Sequence, residues 1–169
     1  MKTNLVIVSL YDKATKEIAS KLAKEYDLYH ADVGDIIEYN LFNADEIEDK
    51  CGIEYLNKLK KKTIKEIGTY ENTLISVPYG LFVADKNYKY FEKYGTIVLL
   101  NYTKQAIEKY IETSTLTQKN LNEIKVMLLA FDETQKICAE ASNTKIDLNK
   151  IDVLSNYKKI KKFLDKYYL

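Results

Sequence analysis

Short β-branched apolar runs alternate with longer amphipathic stretches along almost the whole of this chain. An apolar run of about five residues suits a strand buried on both faces, and apolar positions spaced by four line the covering side of a helix. Strands separated by helices pair in parallel, with helices packed on both sides of the sheet. Residues 5–9 (LVIVS), 27–31 (DLYHA), 73–77 (TLISV), 96–100 (TIVLL) and 144–148 (TKIDL) are the five expected strands. Between them, residues 13–26 place Ala14, Ile18 and Leu22 on one face, and residues 53–67 turn Leu56, Leu59, Thr63 and Ile64 inward before Gly68 ends that helix. Residues 82–94 and 103–111 read as further helices, and residues 121–131 as a strongly apolar one. Tyr157, Ile160, Phe163, Leu164 and Tyr167 form the apolar side of a Lys-rich terminal helix.

The expected architecture is an α/β, three-layer α/β/α sandwich with a five-stranded parallel sheet, built as a single domain over residues 1–169. Charge is balanced, 26 basic residues against 25 acidic, so no nucleic-acid partner is expected. No apolar run approaches the ~18 residues of a membrane span, and the expected location is cytoplasmic. Cys51 and Cys138 lack metal or redox spacing and read as packing residues, so no metal site is expected. Every basic residue is Lys; without Arg the chain has no planar bidentate grip on carboxylate or phosphate. The 15 Tyr are scattered and read as core-edge and surface residues.

An apolar strand, a loop, a helix (residues 5–26) and then the acidic segment LYHADVGDIIE (28–38) follow the order that opens shikimate kinase. The chain resembles the shikimate kinase-like P-loop small-molecule kinases over nearly its whole length, in pattern and order more than in signature residues. That resemblance implies the P-loop nucleoside triphosphate hydrolase fold. It also implies a lid-like segment around residues 112–120, and the SVPYG stretch (76–80) in place of the family's Gly-Gly-Gly turn.

The family's Walker A pattern is G-x-x-x-x-G-K-S/T, and the matching segment here holds Ser9, Leu10, Tyr11, Asp12, Lys13, Ala14, Thr15, Lys16 and Glu17. It contains no glycine, although the backbone of such a loop needs φ > 0 and close approach to phosphate. In this register Thr15 stands for the Walker lysine and Lys16 for the Mg²⁺-binding hydroxyl, while Lys13 or Lys16 could still meet an anion at the helix start. His30-Ala31-Asp32 replaces the family's Asp-x-Asp. Asp32 then reads either as the substrate or catalytic carboxylate or as the cap of the following helix, with Asp35 and Glu38 next to it.

The expected substrate cleft is His30, Asp32, Asp35, Pro78, Tyr79 and Gly80. Where the family carries arginines, this chain has Leu56-Asn57-Lys58, and Lys119, Lys125 and Lys136 near the lid. Simultaneous loss at three separated places is expected of a binding or regulatory pseudoenzyme with an unknown small-molecule or protein partner and no cofactor. The alternative is a divergent kinase using ATP and Mg²⁺ with lysines in place of the usual set, and Asp32 as its catalytic carboxylate.

Overall fold

The computed structural model describes residues 4–167, without the side chains of Asp12, Lys13, Lys119, Asn120, Glu123 and Tyr167. Five parallel strands, β1 (Asn4–Ser9), β2 (Tyr29–Asp32), β3 (Thr73–Pro78), β4 (Gly95–Tyr102) and β5 (Thr144–Leu148), form one sheet in the order β2-β3-β1-β4-β5. β1 is central, with Ile7 beside Ser76 of β3 and Val98 of β4. Val6, Ile7, Val8, Leu74, Ile97, Val98, Leu99 and Leu100 are fully buried, as strands covered on both faces require.

The helices are α1 (Asp12–Glu25), α2 (Val33–Asn40), α3 (Ala44–Cys51), α4 (Ile53–Ile67), α5 (Tyr79–Val83), α6 (Tyr88–Tyr94), α7 (Lys104–Thr113), α8 (Gln118–Leu129), α9 (Phe131–Glu140) and α10 (Val153–Tyr167). α1 packs beside α10, where Tyr26 Oη donates to Asp165 Oδ1 at 2.9 Å, and α5 packs beside α9. No helix among the described residues is long and apolar enough to cross a membrane.

The structure corrects several sequence expectations. Residues 82–94 do not form one helix: Asp85 and Lys86 take positive φ (49° and 58°), and the chain breaks into α5, a 3₁₀ turn (Ala84–Lys86) and α6. Residues 121–131 split at Ala130 between α8 and α9. Val126 and Leu129 on α8 are left exposed, so its apolar character does not mark a core helix. Helix α3 is short and acidic and has no fully buried residue; only Ala44 and Ile47 pack, in part, against the core, too few positions for periodicity to mark it. Cys51 at its end is exposed, so only Cys138 is a packing residue. β2 begins two residues later than expected, and Tyr11 and Tyr102 are buried rather than peripheral. Gly68 ends α4 with ordinary helical φ; the constraint on it is space, because a Cβ there would lie 2.9 Å from the Tyr90 carbonyl oxygen.

Candidate functional site

In an open parallel sheet, ligands bind outside the carboxyl ends of the strands, where successive crossovers leave in opposite directions. Here that place is the end of β1, flanked by β3 and β4. β1 ends at Ser9 and α1 begins at Asp12, so Leu10 and Tyr11 make the whole connection. Both are buried, 3% and 7% exposed. Ser9 Oγ accepts the Tyr11 backbone N–H at 3.0 Å and pairs with Thr15 Oγ1, which also donates to the Tyr11 carbonyl at 2.9 Å. The Tyr11 N–H and carbonyl are therefore satisfied by the side chains of Ser9 and Thr15 at the two ends of the connection. The Tyr11 ring meets Tyr110 of α7 edge to face, with centroids 5.3 Å apart, and burial pushes its phenol well above the ordinary tyrosine range.

Of the residues matched to a phosphate loop, Ser9 and Thr15 are thus turned into the turn's interior. Lys16 lies on the open side of α1 and pairs with both carboxylate oxygens of Asp35 in the first turn of α2; that hydrogen bond raises its pKa. The side chains of Asp12 and Lys13 lie outside the described residues, as does that of Lys119.

Lys16 and Asp35 form one wall of a cleft of 470 Å³ between α1, β2 and α2, also lined by Ser20, His30 and Asp32. Asp32 faces Ser76 across the β2–β3 pair. Its Oδ1 accepts the Asp35 N–H at 2.9 Å and so caps α2, while its Oδ2 accepts from Ser76 Oγ at 2.6 Å. The capping role open to Asp32 in the sequence is therefore realised, and the carboxylate has a second partner besides.

A serine hydroxyl has one proton. With that proton on Asp32, His30 Nε2, 3.0 Å from Ser76 Oγ, must be the donor to it, which fixes the Nε2–H tautomer and leaves Nδ1 as the ring's acceptor. Burial lowers the His30 pKa, so the imidazole is neutral at pH 7.

Pro78 does not line the cleft but lies behind it: a Cβ on Gly34 would lie 3.2 Å from Asp32 Oδ1 and 3.3 Å from Pro78 Cγ, so Gly34 keeps α2 close to both. Tyr79 and Gly80 do not line the cleft; they open α5, and Tyr79 packs on the core rather than crowding the site. Ser76, the link between His30 and Asp32, was not among the expected site residues. Its signal was a hydroxyl interrupting an otherwise apolar strand end, ISV, on a strand with both faces buried. Among the described residues no group of three His, Cys, Asp or Glu is placed to hold a metal ion. Residues 112–120 cover the end of α7, an irregular connection and the start of α8.

The family model for shikimate kinase matches residues 15–165, beginning just after the β1–α1 turn. The fold is similar to shikimate kinase from Bacteroides thetaiotaomicron (TM-score 0.74, 14% identity, covering 96% of this chain and 98% of that one). It is also similar to shikimate kinase from Aquifex aeolicus (TM-score 0.71, 21% identity, 98% of each chain). Dephospho-CoA kinase from Campylobacter jejuni follows the same course (TM-score 0.64, 12% identity, 98% of this chain and 97% of that one). No curated protein sequence matches the chain.

Proposed function

The chain belongs to the shikimate kinase family, and from that membership we propose a binding or regulatory protein that keeps the family's sheet without binding nucleotide or transferring a phosphoryl group. The observation that carries this reading is the β1–α1 turn. A triphosphate cradle requires a run of inward-pointing N–H groups on a loop that leaves space for phosphate. This turn has two residues, both buried, and its Tyr11 N–H is already bonded to Ser9. The residues present do not fit a triphosphate. The lysine at the position of the Mg²⁺-binding hydroxyl supports the same reading, since it brings a positive charge where a cation would sit and is engaged with Asp35. On this reading the retained function is ligand recognition near His30, Asp32 and Asp35, with Lys16 as the local cation.

The test is the thermal midpoint with and without 5 mM MgATP, together with ADP release in the presence of shikimate. A ligand at about 100 times its Kd would add about 2.7 kcal/mol, several degrees for a domain of this size. The expected result is a shift below about 1 °C and no ADP above the protein-free rate. A rise of several degrees, or turnover lost in Lys16→Ala protein, would establish the divergent kinase instead.

A further inference from the structure

Helix α3 is eight residues long, has no fully buried side chain, and packs only Ala44 and Ile47, in part, against the core. Asn43, at its N-cap, makes no side-chain cap hydrogen bond. A helix this short is marginal in water without packing along one face. The chain on either side of it exposes large apolar side chains: Tyr39 and Phe42, 84% and 87% exposed, precede α3, and Ile53 and Tyr55, each 48% exposed, follow it. Aromatic side chains are enriched in protein interfaces relative to the rest of the surface.

Charge on this face is divided between two neighbouring helices. α3 carries four carboxylates against one lysine, and α4, packed beside it, carries five lysines against two carboxylates. Phe42, Asp45 and Lys60 open onto one groove, so both helices reach the same solvent-facing surface. Among the described residues no ion pair joins the two helices: Glu46 pairs with Lys50 inside α3, Lys62 with Glu66 inside α4, and Lys61 with Asp85. Glu48, Asp49, Lys58 and Lys65 are exposed, and none of them belongs to an ion pair among the described residues.

We infer that this face joins two copies of the chain about a two-fold axis, the acidic α3 of each copy lying against the lysines of α4 in the other, with Phe42 covered at the join. A two-fold contact uses the same patch twice and must be complementary to itself. An acidic helix beside a basic one meets that condition. A uniformly acidic partner would be drawn to α4 and repelled by α3, and a uniformly basic one the reverse. The inference does not rest on the pseudoenzyme reading, and a dimer is compatible with either outcome of the MgATP test.

The experiment is sedimentation equilibrium of the full chain at about 50 µM. The expected mass is twice the 19.7 kDa of one copy. Glu48→Lys with Asp49→Lys, and separately Lys58→Glu with Lys65→Glu, should each weaken self-association at least about tenfold, because like charges then meet across the axis. Mixed in equal amounts, these two double variants should form a heterodimer, since opposite charges face each other again at both contacts; that recovery also shows that both variants are folded. Phe42→Ser should weaken the native dimer about tenfold, and Lys162→Glu, exposed on α10, should leave it unchanged. A monomer at this concentration, an assembly larger than two, a dimer indifferent to either charge reversal, or reversed variants that fail to pair when mixed would overturn the proposal.

Discussion

His30 is the residue whose chemistry the tertiary structure changes most. In the sequence it is the one histidine, at a strand end. In the fold it is half-buried and donates to Ser76, which donates to Asp32. Burial is the largest influence on its pKa and lowers it from 6.5; Lys16 acts in the same direction, while the charges of Asp32 and Asp35 oppose it. A histidine with a depressed folded-state pKa binds its proton more readily unfolded. The stability this represents is therefore present above pH 6.5 and lost as pH falls through the folded value. The thermal midpoint of the native chain should thus drop on acidification from pH 7 towards 5 more steeply than that of His30→Gln protein. Superimposable pH profiles for the two would show that the imidazole is not held neutral by the fold. Ser76→Ala removes the hydroxyl between two polar partners at a site 1% exposed, and should cost about 1–3 kcal/mol in urea unfolding.

Among the elements, α4 and the β1–α1 turn show how local sequence and packing divide the work. The apolar stripe of α4 places Leu56, Thr63, Ile64 and Ile67 inside, as its spacing requires. At its end packing restricts the residue: the Tyr90 carbonyl of α6 leaves no room for a side chain at Gly68. Gly68→Ala should therefore destabilise by about 1–3 kcal/mol, lowering the thermal midpoint by several degrees. At Gly80, in α5, an added Cβ would meet nothing within 4 Å, and Gly80→Ala should be neutral or stabilising by up to about 1 kcal/mol. Equal effects at the two positions would remove the steric argument. The β1–α1 turn is the converse case: no propensity forces Tyr11 inward, and its burial depends on Tyr110 of α7, far along the chain, meeting its ring.

Taken as a whole, the molecule is stabilised unevenly. β1 is held on both sides from Leu5 to Ser9, and with β4 it carries residues of zero exposure. α3, with no buried residue, and α8, with Val126 and Leu129 exposed and Met127 the buried residue among its described side chains, lie at the other extreme. Local opening is easiest where little apolar surface is buried. Amide hydrogen exchange should therefore find the slowest protons in β1 and β4, and should find α8 exchanging orders of magnitude faster than α1 or α10. Protection in α8 equal to that of α1 would mean that the connection from α7 to α9 is a fixed part of the core. Burial also reaches the phenols: Tyr102, bonded through Oη to Asn156 Nδ2 at 3.2 Å, has its pKa pushed up to about 12 and joins the end of β4 to α10.

The chain alone determined that there would be five parallel strands, where α1, α4, α7 and α10 would lie, and that a glycine-free segment would follow β1. Those are properties of short stretches, and spacing along the chain encodes them. It left Asp32 open between cap and site, and gave no sign of α3, whose apolar side is two partly buried residues among acidic ones. The tertiary structure decided the rest: that Asp32 caps α2 and also meets Ser76, 44 residues on, and that His30 reaches the same hydroxyl across 46 residues. It also decided that Tyr11 fills the turn. These contacts depend on strand order and register, which bring together residues distant in the chain, and no local periodicity specifies them.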